Sequence, residues 1–181
     1  MTYLEAAVLT VGLLCLLNLL LTFGVIRRLR QHTEHLNRFA PTELAPGIGV
    51  GEAVGDFHAT TTTGETLSRT GLTGETLVGF FSPGCQPCAT QLPHFIELAR
   101  ELPGGRAQAL AVVVAGTEAG QDYVDRLAPV ARVVTEGPDG VLQAAFQVTG
   151  FPMLLRLDDA VVRAAGVTVA DVATSGAPAA V

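Results

Sequence analysis

Residues 76–82, Thr-Leu-Val-Gly-Phe-Phe-Ser, read as a short buried strand, and within three residues the chain turns into an amphipathic helix over 88–102. Two cysteines, Cys85 and Cys88, sit in that turn, and this juxtaposition limits the architecture more than any other feature of the chain. The helix shows an apolar stripe of Leu92, Phe95, Ile96, Ala99 and Leu102, with Gln91, His94, Glu97 and Arg100 on the opposite face. Pro103-Gly104-Gly105 ends it. Strand and helix patterns then alternate: a buried strand over 109–115, a polar helix over 118–127, a short strand over 130–134 and a short helix over 141–146. Two strands over 153–157 and 161–165, turned at Asp158-Asp159, close the pattern. Before all of these, residues 54–68 suggest a hairpin around Gly64-Glu65. The expected fold is an α/β sandwich with a mixed central sheet flanked by helices.

Residues 4–26 are almost continuously apolar and would rise about 34 Å as a helix, enough to span a bilayer. No basic residue precedes the run, and Arg27-Arg28-Leu29-Arg30 ends it, so it reads as an uncleaved single-span anchor. Residues 27–49, with Arg38 and the Pro41, Pro46, Gly47 and Gly49 breakers, read as a juxtamembrane stalk and linker. The expected organisation is an anchor over 4–26, this stalk, a globular domain over 50–166 and a weakly structured tail over 167–181. His32 and His35 in the stalk, and His58 and His94 beyond it, read as solvated residues. Cys15 reads as a small apolar residue of the anchor.

Charge narrows the function. The part from residue 41 onward carries 7 Arg against 15 acids, so it lacks the basic face that nucleic-acid binding requires. All 11 basic residues are Arg, which excludes lysine-based covalent chemistry. What remains is the cysteine pair. A thiolate at a helix N-terminus meets unpaired N–H groups and the positive end of the dipole, which favour the charged form. Cys85, at the exposed lip, is the expected nucleophile, and Cys88, one turn deeper on the same face, the resolving thiol. Pro83 and Gly84 shape the turn, Gln86 brings no charge beside the pair, and Pro87 stiffens the first helical turn, where a missing N–H costs nothing. A zinc site would need two further ligands, which the neighbouring sequence does not supply, so no metal is expected. Pro152, after Gly150-Phe151 and at a strand start, is a candidate cis peptide that leaves backbone free for a partner chain.

On these residues, the segment over about 50–165 resembles the thioredoxin superfamily, specifically the membrane-anchored TlpA-like disulfide oxidoreductases. Its Ser-Pro-x-Cys-x-x-Cys form, behind an anchor ending in Arg, is most similar to the MauD proteins of methylamine utilisation. The resemblance implies that Cys85 and Cys88 form a redox pair and that no other cofactor is used. It further implies that Pro152 is the cis-proline facing the pair, with Phe151 beside it against substrate, and that Pro93 is the proline that kinks the active-site helix. Implied partners are protein thiols and disulfides, an upstream membrane or soluble thiol electron donor, and the lipid bilayer through the anchor. Three positions depart from the family pattern. Gly84 stands where a Trp is usual, Gly79 replaces the buried acid of classical thioredoxins, and the closing helix is nearly absent. A peroxiredoxin would need a Pro-x-x-x-Thr-x-x-Cys lead, which Ser82-Pro83-Gly84-Cys85 does not provide, and copper carriers on this frame usually separate their cysteines by three residues. The alternative from another class is a non-catalytic assembly factor that docks a partner enzyme, its disulfide merely structural. On topology the residues and the resemblance pull apart. The positive-inside rule places Arg27, Arg28, Arg30 and Arg38, and with them the domain, in the cytoplasm, whereas the resemblance implies an extracytoplasmic domain. The resemblance is the reading adopted.

Overall fold

The computed structural model describes residues 3, 5, 7–9, 12–18, 47–115 and 120–173. The chain divides into two compact units, Met1–Glu43 and Leu44–Val181. In the first, the described residues are helical and exposed. Among the described residues no helix is long and apolar enough to cross a membrane. Much of the anchor expected over 4–26 lies outside the described residues, as do the stalk residues 27–46 and the end of the tail, 174–181.

The second unit is built on a five-stranded sheet in the order β5-β4-β3-β6-β7. Its strands are β3 (Glu75–Phe81), β4 (Ala109–Val114), β5 (Arg132–Glu136), β6 (Met153–Asp158) and β7 (Val161–Gly166). β3, β4 and β5 run parallel, while β6 is antiparallel to both β3 and β7. A separate two-stranded hairpin pairs β1 (His58–Thr60) with β2 (Thr66–Ser68). Among the described residues the α-helices of this unit are α1 (Gln86–Glu101), α2 (Gln121–Leu127), α3 (Val141–Ala145) and α4 (Val169–Ala173). The mixed sheet with flanking helices is the architecture the sequence pattern implies.

Every residue of β4 is buried, because both faces of the sheet are covered, and the period of two sorts the side chains between them. Leu77, Phe81, Ala109, Ala111, Val113, Val133 and Leu154 face α1, α2 and Val172 of α4. Val78, Phe80, Leu110, Val112, Met153 and Leu155 face Leu67 of the hairpin, Leu142 of α3 and the segment before β1. Ile48, at the end of the stalk expected from sequence, is wholly buried in this second core and donates its N–H to Phe146 O at 3.1 Å.

Boundaries shift where tertiary bonds claim a residue. β5 starts two residues later than its apolar run, because the N–H groups of Val130 and Ala131 both turn back to Leu127 O at the end of α2. The β6–β7 turn falls on Asp159-Ala160, not Asp158-Asp159, with φ of 50° and 61°. A two-residue hairpin turn with positive φ at both positions suits the twist of antiparallel strands. Alanine seldom adopts that conformation, so the sequence signal pointed one residue early. The turn is held from outside: Gly74 N–H donates to Asp159 Oδ1 at 2.7 Å, and Val54 N–H donates to Ala160 O at 2.9 Å.

Candidate active site

Ser82-Pro83-Gly84-Cys85 folds as a β-turn in which Cys85 N–H donates to Ser82 O at 3.2 Å. Proline occupies the second position and Gly84, with φ +82°, the third, which is the residue requirement of a type II turn. A side chain at position 84 would be strained there. That accounts for glycine where the resembled family carries tryptophan. The turn delivers Cys85 to the N-cap of α1 in an extended conformation (φ −80°, ψ 111°). Gln86 and Pro87 then form the first helical positions, so α1 begins two residues before the start expected from its apolar stripe. That stripe is buried as expected, whereas Gln91 is half-buried and accepts the N–H of Val169 at 2.9 Å.

The two sulfurs have different surroundings. Cys85 is half-buried, packs against the cluster that holds Cys88 and makes two hydrogen bonds. Its Sγ accepts the Cys88 main-chain N–H at 3.3 Å, satisfying one of the helix's unpaired donors. As a thiol it also donates to Phe151 O at 3.5 Å. Cys88 is wholly buried. Burial, and then its hydrogen bond with Cys85, pushes the Cys88 thiol up to about 12, against a smaller opposing pull from the Ser82 main chain. Both cysteines are free thiols. One sulfur is reachable and hydrogen-bonded, and the other is kept protonated by its apolar setting.

The Phe151–Pro152 peptide is cis. Pro152 is buried at the foot of β6, and Phe151 packs partly against both cores, so residues 66 apart in sequence meet at Cys85. Pro93 is exposed within α1, which runs to Glu101; lacking an N–H, it cannot pair with Ala89 O in the helical ladder. Gly79 lies under the site. A Cβ there would stand 2.7 Å from ring carbons of both Phe81 and Phe95, whose centroids are 5.2 Å apart, so aromatic packing fills the place of the acid. Among the described residues no three His, Cys, Asp or Glu side chains are grouped to hold a metal ion. His94 is exposed and stands 3.9 Å from Glu97.

One residue escaped the sequence reading. Tyr123 of α2 is only 9% exposed and belongs to the same buried cluster as Cys88, its ring centroid 6.5 Å from that of Phe81. Its spacing of four from the buried Leu127 was the available signal, masked by the polar residues between them.

A family model described as the AhpC/TSA family matches residues 50–179. No curated protein matches the chain. Among solved structures, the thioredoxin domain of a thiol-disulfide oxidoreductase from Bacteroides vulgatus is similar, at 16% identity and a TM-score of 0.58, over 70% of this chain and 94% of that one. A thiol:disulfide interchange protein from Bacteroides sp. is similar at 16% identity and a TM-score of 0.57, over 70% of this chain and 86% of that one. A thioredoxin-like protein from Neisseria meningitidis is 24% identical, with a TM-score of 0.53, over 63% of this chain and 78% of that one. These likenesses show a thioredoxin-like fold.

Proposed function

This chain belongs to the AhpC/TSA family, and we propose that it is a thiol-disulfide oxidoreductase acting on protein thiols and disulfides through Cys85 and Cys88. The observation that carries the reading is the asymmetry of the pair: a half-buried Cys85 sulfur that accepts the Cys88 N–H, above a wholly buried Cys88. When a partner disulfide approaches, the Cys85 thiolate attacks one of its sulfurs, and the other leaves as a thiolate. The Cys88 thiolate then attacks Cys85, an S–S bond forms within the chain, and the partner departs reduced. Run backwards, the same steps oxidise a partner dithiol. The Phe151 carbonyl, 3.5 Å from the reactive sulfur, is main chain that a docked partner segment meets first. The reaction class matches that of the Bacteroides proteins named above.

The apolar run over 4–26 is proposed as a single membrane anchor, with the domain extracytoplasmic, in the manner of TlpA-like and MauD proteins. Turnover then draws on a membrane or soluble thiol donor. The test is catalysis of insulin-disulfide reduction by dithiothreitol with the full chain. Acceleration that Cys85→Ser abolishes supports the proposal. No acceleration by the wild-type chain would leave the reading as a docking factor with a structural disulfide.

A further inference from the structure

The helix that bears the cysteines buries its apolar stripe, yet one flank of it stays open. Between that flank and α4 lies a groove of about 480 Å³. Gln91 stands at the end nearer the cysteines, three residues after Cys88 and so its neighbour on the helix surface. Its Oε1 accepts Val169 N–H at 2.9 Å and ties α4 to α1 at that point. From Gln91 to Glu101, the last residue of α1 to line the groove, the helix rises about 15 Å.

The lining joins small apolar surface to acid. Leu98 and Val169 are half-buried, and Ala170 and Ala173 are exposed. Glu97 and Glu101, one turn apart on α1, are both exposed, and His94 stands 3.9 Å from Glu97. Arg100, the basic residue of α1, does not line the groove. Asp171, the acid of α4, is spent on capping: its Oδ2 accepts the N–H groups of Val167 and Thr168 and the Thr168 hydroxyl. We propose that this groove is a docking surface for a basic, amphipathic segment of the partner protein, a role that rests on the thiol-exchange reading above for the class of its partner.

Charge selects the occupant. Lysine or arginine side chains one turn apart meet Glu97 and Glu101, while apolar side chains between them cover Leu98, Ala170 and Ala173. A second copy would bring a part that, from residue 41 onward, carries 7 Arg against 15 acids, so like charge opposes it. Residues 174–181, Thr-Ser-Gly-Ala-Pro-Ala-Ala-Val, contain no basic side chain for the glutamates. A partner whose cysteine lies at Cys85 brings its adjoining residues along α1, where the groove begins within one turn of Cys88. The surface therefore chooses partners and holds them during exchange, and it leaves the sulfur chemistry to the cysteine pair.

The probe is ribonuclease A, reduced and capped with iodoacetamide, a basic unfolded chain with no free thiol; capped α-lactalbumin is its acidic counterpart. Fluorescence anisotropy with the full-length protein at low salt should show binding of the first and little of the second. Glu97→Gln with Glu101→Gln should raise Kd about fivefold, as expected for two exposed ion pairs lost. Salt near 0.5 M should weaken the parent likewise. Ala170→Gln, which fills the groove without adding charge, should also weaken binding. Asp122→Asn with Asp125→Asn removes the same charge from the exposed face of α2 and should leave binding unchanged. Unchanged binding in either groove variant, equal weakening in the α2 variant, or equal binding of capped α-lactalbumin overturns the proposal. In a Cys15→Ser background, the first thiolate released from 5,5′-dithiobis(2-nitrobenzoate), when Cys85 attacks, should appear no more slowly in the groove variants than in the parent. Slowing there would place their defect at the cysteine pair and count against the groove. Because the probe has no thiol, a chain that binds it as expected but does not reduce insulin would sink the thiol-exchange reading and keep the docking surface.

Discussion

The main-chain N–H of Cys88 points at the sulfur of Cys85, 3.3 Å away, so the residue that resolves the exchange also holds the nucleophile in place through its backbone. Because the contact is main-chain, it survives replacement of the Cys88 side chain, and the two cysteines can be tested independently.

Cys88→Ser should accumulate mixed disulfides with partner proteins, visible as dithiothreitol-sensitive bands on non-reducing gels. With Cys15→Ser in both variants, Cys85→Ser should accumulate almost none, because its remaining thiol, Cys88, is wholly buried. Trapping of similar extent by the two variants would reverse the assignment.

Stability of the reduced protein should fall in alkali. Cys88 is held protonated in the fold, up to about 12, above the roughly 8.5 of a free thiol. A group raised on folding stabilises fully below its unfolded value and loses that contribution as pH climbs toward the folded one, here at up to about 1.4 kcal/mol per pH unit. Tyr123 is shifted in the same direction and adds to the fall above about pH 10. Urea midpoints measured between about pH 8 and pH 10.5 should therefore drop faster for the reduced wild-type chain than for Cys88→Ser. Parallel curves would show that the Cys88 thiol contributes nothing to the alkaline loss.

Gly79→Ala should cost about 1–3 kcal/mol, the usual range for overpacking a core. Its Cβ would stand 2.7 Å from both Phe81 and Phe95. Adding Phe95→Leu to Gly79→Ala should recover part of the loss, a coupling that a double-mutant cycle of thermal melts would reveal.

Gly84→Ala probes the turn. The residue's φ of +82° lies where L side chains pay roughly 1 kcal/mol or more, although the space around it is open. The variant should lower the melting temperature by a few degrees. It should also slow the first thiolate release, because relaxing the turn moves Cys85 off the helix cap. Unchanged melting would mean that the turn adapts freely.

Local chemistry carried most of the site. A β-forming run, a Pro-Gly turn and a 3.6-residue stripe are each specified within ten residues, so the strand, the turn and the helix bearing Cys85 and Cys88 were legible without coordinates. The sheet pattern was legible for the same reason, except where a hydrogen bond from elsewhere claimed a residue: Leu127 O delaying β5, and Gly74 and Val54 fastening the Asp159-Ala160 turn. Tertiary structure alone decided what surrounds the sulfurs. Sequence spacing does not show that Phe151 O stands 3.5 Å from Cys85, that Ile48 belongs to the core, or that Tyr123 of α2 lies in the cluster that buries Cys88. Those relations depend on how helices and strands far apart in the chain pack across a common sheet, where burial and contact are set by the whole assembly and not by neighbours along the backbone.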